Sequence, residues 1–91
     1  MVWKIEFDPN AEKEIDKLDR QIAKRLLTFL YKRLSQLENP RDIGEPLKGS
    51  QLGEFWKYRV GDYRIVVCIE DDVLRILVVK VGHRKEVYKK N

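Results

Sequence analysis

Residues 54–70 read EFWKYRVGDYRIVVCIE. Two strand-like runs, 54–60 (EFWKYRV) and 63–70 (YRIVVCIE), flank Gly61-Asp62. A two-residue connection with glycine first suits a type II′ hairpin turn, whose twist matches that of the strands it joins. Val60 then faces Tyr63, and Arg59 faces Arg64. Side chains alternate along a strand, so Trp56, Tyr58, Val60, Tyr63, Ile65 and Val67 share a core face. Phe55, Lys57, Arg59, Arg64 and Val66 share the other. Three cations become neighbours there, two of them directly opposed. Like charges in direct cross-strand pairs cost a few tenths to about 1 kcal/mol. A solvated outer face accounts for such a pattern in bland terms. A basic floor that meets phosphate accounts for it in functional terms, because guanidinium forks match phosphate oxygens.

The chain on either side completes the fold. Asp71-Asp72 is expected as a turn, followed by a third strand at 73–81 (VLRILVVKV) and the tail GHRKEVYKKN. Upstream, residues 39–53 (NPRDIGEPLKGSQLG) carry two prolines and three glycines and are expected to be a loop. Before them, Ala11, Ile15 and Leu18 mark one short helix, introduced by Asp8-Pro9. Ile22, Leu26, Phe29, Leu30, Leu34 and Leu37 mark a second, introduced by Asp19 and ended by Asn39-Pro40. Residues 2–7 (VWKIEF) alternate as a half-buried strand. The order β-α-α-β-β-β predicts one α+β domain over 1–91: a four-stranded antiparallel sheet with an N-terminal helical hairpin on one face.

Composition narrows the function. At 91 residues and 43% hydrophobic, the chain is expected to be one globular domain. The N-terminus shows neither a signal peptide nor a spanning segment, and Cys68 is alone, so a soluble cytoplasmic protein is expected, with no membrane partner. Residues 1–47 hold nine Lys/Arg and nine Asp/Glu, whereas 48–91 hold ten and six. The whole excess of +4 thus sits in the second half, which points to a polyanionic partner. One His and one Cys make no usual zinc site, and no metal is expected. Nucleotide-binding glycine motifs and a GxSxG elbow are absent.

Three residues invite chemistry. Clustered positive charge would favour the neutral form of Lys57, which suits a general base. His83, the one histidine, follows Gly82 and precedes Arg84 and Lys85; imidazole titrates near neutrality and can donate a proton to a leaving oxygen. Tyr88 can stack on a base, or merely anchor the tail.

Residues 47–88 (LKGSQLGEFWKYRVGDYRIVVCIEDDVLRILVVKVGHRKEVY) resemble the C-terminal signature of the RelE branch of the RelE/ParE toxin superfamily. The shared pattern is Leu-Lys-Gly, an aromatic followed by basic-x-Arg, Gly-Asp-Tyr-Arg, an acidic turn, and Gly-His-Arg-Lys-x-Val-Tyr. The resemblance implies a microbial-RNase-like fold and an endoribonuclease that cuts mRNA in the ribosomal A site without a cofactor. It implies as partners a RelB-like antitoxin and the 70S ribosome with its rRNA and mRNA. Lys57 matches the second lysine of the family's basic strand pair, and Arg64 the arginine on the scissile phosphate. Arg84 and Tyr88 match the C-terminal arginine and tyrosine, and Arg59 a basic position. Lys48 and Lys85 join them as RNA-binding residues. Phe55 stands where the first lysine of the pair is expected. Glu45 resembles the acid that YoeB toxins use as a base, so Lys57 and Glu45 are both candidates for that role. His83 or Arg84 would assist the leaving group. The alternatives are a ParE-like gyrase inhibitor and an inactive module that binds RNA or antitoxin.

Overall fold

The computed structural model describes residues 2–47 and 55–87. Strand β1 (Lys4–Phe7) leads into α1 (Pro9–Asp16) and α2 (Arg20–Thr28). Asp8 and Asp19 cap the helices, accepting from the amides of Asn10 at 2.9 Å and Gln21 at 3.0 Å. The second helix runs on as a π-helical segment (Phe29–Arg33) and a 3-10 turn (Leu34–Gln36). A further 3-10 turn (Pro40–Ile43) precedes β2 (Glu45–Pro46), β3 (Phe55–Val60), β4 (Tyr63–Glu70), β5 (Arg75–His83) and the short α3 (Arg84–Val87).

The α+β class and the helical hairpin are as expected, but the sheet departs in two ways. It has five strands, ordered β1-β5-β4-β3-β2, and β1 runs parallel to β5. Alternation reveals a strand's two faces but not the direction of its neighbour. Here the helical hairpin carries the chain across the sheet, so β1 and β2 end on opposite edges. The extra strand, β2, lies inside the stretch expected to be a loop. Two residues give no periodicity, and Pro46 is tolerated because β2 is an edge.

The register of the central hairpin is the expected one: Val60 faces Tyr63 and Arg59 faces Arg64. Gly61 supplies the positive φ of 60° that the turn needs. The next connection is longer than the Asp71-Asp72 turn expected. A 3-10 turn (Asp71–Val73) and a left-handed Leu74 join β4 to β5. Within β5 the pairing slips: Val67 faces Val78, but Val66 faces Lys80. Val79 is therefore the extra residue of a bulge, which lets Val78 and Val81 both reach the core. Beyond it the Val81 amide donates to Glu14 Oε1 at 2.8 Å, fastening α1 to β5.

The core lies between the helices and the sheet, with Leu26, Leu30 and Leu34 against Tyr58, Ile65, Val67, Ile76 and Val78. Tyr58 is 1% exposed, and its hydroxyl donates to the Pro40 carbonyl at 2.8 Å. Burial pushes its phenol pKa well up, so the hydroxyl stays a donor. Gly44 lies against the same ring; a Cβ there would sit 2.6 Å from Tyr58 Cε1. These contacts lay residues 40–44 over the core and deliver the chain to β2. Gly44→Ala is expected to destabilise the protein by about 1–3 kcal/mol through overpacking. A lower urea midpoint at unchanged m-value checks this; an unchanged midpoint counts against a rigid Tyr58 ring.

Candidate functional site

The face of the sheet away from the helices carries the basic strand pair. Lys57, at the centre of β3, faces Glu45 of β2 on one side and Val66 of β4 on the other. Lys57 Nζ lies 3.8 Å from Glu45 Oε1. The lysine side chain is 17% exposed and the glutamate 66%. The cluster that suggested Lys57 as a base is thus one in which a carboxylate stands closest among the charged partners shown. Glu45, Pro46, Leu47 and Lys57 line a cleft of about 400 Å³. The structure brings the two candidate bases together in one place.

Arg64 sits one pleat further along. It is 6% exposed, although its charge has no carboxylate among the described residues. One terminal nitrogen, Nη1, donates to the carbonyls of Gly61 at 3.1 Å and Tyr63 at 2.9 Å. Nε is buried with no partner. The residue opposite is Arg59, exposed and also without an ion pair among the described residues. Arginine is rarely buried without a counter-charge, because desolvating an unpaired cation is expensive. The other end of the same face shows the usual solution. Arg75 is held by Glu70, through Nε at 2.6 Å, and by Glu6 at 3.5 Å. Its pKa is raised, first by the hydrogen bond it donates to Glu70. One arginine therefore has two carboxylates, while the Arg59–Arg64 pair has none among the described residues.

The remaining predicted residues are placed unevenly. Arg84 opens α3, its amide donating to the Asp62 carbonyl at 2.8 Å, so the hairpin turn anchors it. Arg84 and Lys85 are exposed. His83 pairs with Tyr63, their rings edge to face at 5.5 Å. Tyr63 belongs to the core face, so His83 points away from the Lys57 face. Its Nδ1 accepts from the Lys85 amide at 3.2 Å, which leaves Nε2 as the site of the proton in the neutral ring. Lys48 and Tyr88 lie outside the described residues.

Two contacts were beyond the sequence reading. Arg41 holds Asp71 with two hydrogen bonds of 3.2 and 2.7 Å and lies 5.9 Å from the centre of the Trp56 ring. The Arg41 hydrogen bond keeps the Asp71 carboxyl below its ordinary range. This tie holds residues 40–43 to the acidic turn. The second contact is Arg25 of α2, whose guanidinium lies against Gly61. Its one sequence signal is an arginine with no acidic residue three or four positions away on its helix.

Residues 5–88 match the family model described as ParE toxin of type II toxin-antitoxin system, parDE. The chain is 28% identical to Toxin RelG of Mycobacterium tuberculosis over 90 residues, covering 99% of this chain and 100% of that one. It is 32% identical to the mRNA interferase toxin RelE of Escherichia coli, covering 97% of this chain and 92% of that one. The toxin–antitoxin complex RelBE2 of Mycobacterium tuberculosis contains a chain that superposes with a TM-score of 0.81 at 26% identity, covering 92% of this chain and 93% of that one.

If the Arg59–Arg64 opposition is a cost borne by the fold, Arg59→Gln should stabilise the protein by a few tenths to about 1 kcal/mol. Urea unfolding at low salt measures this. The gain should shrink in about 1 M salt, where the Debye length is roughly 3 Å. A loss of stability would show that the pair is not repulsive.

Proposed function

Because this chain belongs to the RelE/ParE superfamily of type II toxin–antitoxin toxins, we propose that it is an endoribonuclease that cuts mRNA in the ribosomal A site. The observation that carries the proposal is Arg64: a buried guanidinium with an unpaired Nε, opposed by Arg59, on a face that neutralises its other arginine fully. Such a site stays short of one anion, and a phosphodiester supplies it.

RNA brings its own nucleophile, the 2′-OH. A carboxylate only accepts hydrogen bonds, whereas an ammonium only donates them. Within the Glu45–Lys57 pair, Glu45 therefore takes the 2′-OH proton, and Lys57 holds Glu45 and a phosphate oxygen. Arg64 and Arg59 stabilise the charge that grows on the phosphorane-like transition state. Because His83 faces the Tyr63 side of the sheet, the leaving 5′-oxygen departs with the charge of Arg84 beside it and takes its proton from water. Tyr88 stacks on a neighbouring base. The products are a 2′,3′-cyclic phosphate and a 5′-OH, with no metal in any step. Deoxy substrate, without the 2′-OH, should resist cleavage.

The partners follow the same reading. An antitoxin of the RelB type would cover this toxin, as the RelBE2 complex suggests. The exposed side of α2 offers it a largely apolar groove of about 730 Å³, lined by Ala23, Leu27 and Tyr31 and flanked by Arg20, Lys24 and Lys32. An amphipathic acidic segment fits that chemistry. The other partner is the 70S ribosome in the cytoplasm. No helix among the described residues is long and apolar enough to cross a membrane.

The ParE name of the family model keeps gyrase inhibition as the second reading. Primer extension on mRNA bound to 70S ribosomes separates the two. Cleavage within A-site codons is expected. Arg64→Ala should lower its rate by about 10²–10³-fold, and Glu45→Gln, unable to take a proton, by about 10²–10⁴-fold. Growth arrest without RNA cleavage would move the assignment to gyrase. Neither arrest nor cleavage would leave a binding module.

A further inference from the structure

We infer that Arg25 belongs to the RNA-binding surface, where it joins Arg59, Arg64 and Arg84 around the Gly61-Asp62 turn to hold a backbone phosphate flanking the scissile one. This rests on the ribonuclease reading above.

The turn collects cations from three parts of the chain. Arg59 and Arg64 are the strand residues on either side of it. Arg84 is tied to it through the Asp62 carbonyl. Arg25 comes from α2. A Cβ placed at Gly61 would lie 3.0 Å from Arg25 Nη1 and 3.3 Å from both Cζ and Nη2. The Arg25 guanidinium thus lies beside the glycine, its two terminal nitrogens and Cζ all within reach of the space a side chain would take. The Gly61 carbonyl meanwhile receives Arg64 Nη1. Two guanidinium groups therefore touch one turn residue, and the turn's single carboxylate is Asp62.

Arg25 gains nothing there that its own helix explains. Its neighbours at three and four positions are Gln21, Ile22, Thr28 and Phe29, none acidic. It is exposed and forms no hydrogen bond or ion pair with a described residue, so its donors remain available. A solvated arginine costs least when it points away from other cations; this one lies against the turn whose carbonyl receives Arg64. Glycine at 61 supplies the positive φ of the turn and leaves room for this approach, since a Cβ there would press on the Arg25 guanidinium. The spacing suits a single strand whose successive phosphates meet the strand pair and then the turn. An RNA backbone is favoured over an acidic peptide because Arg25 reaches the residue that orients Arg64.

The test uses the full chain and a 2′-O-methylated RNA oligonucleotide, which binds but cannot be cleaved. Fluorescence anisotropy gives affinity from about 50 to about 300 mM KCl, and each lost phosphate contact lowers the log–log salt slope by about 0.7. Arg25→Ala is expected to weaken binding roughly tenfold at the lowest salt and to show that smaller slope. Arg25→Lys should keep the slope, and Lys13→Ala, exposed on α1, should change neither quantity. An Arg25→Ala slope equal to the wild type's overturns the inference whatever the affinity, because lost packing does not alter counterion release. Intact RNA binding with weakened binding of an acidic antitoxin peptide also overturns it, making the cluster a protein surface. Cleavage on ribosomes is scored separately. Arg25-dependent binding in a protein that cuts no RNA supports this inference and defeats the ribonuclease reading. Absence of all RNA binding defeats the inference, and Arg25-independent binding by an active nuclease defeats the inference alone.

Discussion

The turn at Gly61-Asp62 is the constraint on which the other features depend. A two-residue connection leaves the hairpin one register, and a slip by one residue would turn every side chain of a strand to the opposite face. With that register, Tyr58, Ile65 and Val67 enter the core, and Lys57, Arg59 and Arg64 are gathered behind it. Core and basic surface are two consequences of one backbone decision. The glycine does more than turn the chain. Its carbonyl orients Arg64, and its lack of a side chain admits Arg25.

The sheet's outer face shows that the missing counter-charge is local. Near β1, Glu6 and Glu70 enclose Arg75. Near the turn, a more deeply buried arginine faces a second arginine. Both ends belong to one sheet and one solvent, so a general tolerance of charge does not explain the difference. A fold selected for stability alone would place an acid at position 59 or 64, since an opposite-charge pair there is favourable. The absence of that acid leaves the charge unmatched at this end of the sheet among the described residues, which is what the proposed phosphate site requires.

What was legible in the sequence followed from local rules. The turn, the alternation beside it and the two aspartate caps each reside in a few consecutive residues. The misses were non-local or too short to have a period. Nothing in VWKIEF tells whether its neighbour runs parallel, and β2 is two residues with a proline. The β5 bulge hid in the run Val78-Val79, where an extra residue looks like continued strand. Among site residues, the strand cations could be placed by counting, because the hairpin is local. Glu45 was known only through resemblance, and its 3.8 Å approach to Lys57 depends on contacts of Gly44 and Pro40 with Tyr58. Arg25 and Gly61 are 36 positions apart, and an arginine on an amphipathic helix reads as a solvated face.

The two halves of the proposed active site are therefore held by different means. The arginines stand on a hairpin, where ladder hydrogen bonds and a tight turn leave little freedom. Glu45 stands on a two-residue edge strand, whose tie to β3 includes the Leu47 amide donating to the Phe55 carbonyl at 2.9 Å. Its position is inherited from the core through Tyr58, whose ring meets Gly44 and whose hydroxyl meets Pro40. Phosphate binding can tolerate small displacements, because charge attraction varies slowly with distance. Proton transfer cannot, because it needs a hydrogen-bond approach to one oxygen. The group with the stricter geometric demand is thus the one tied to the most deeply buried aromatic of the core, and a defect in that tie would slow cleavage before it loosened RNA.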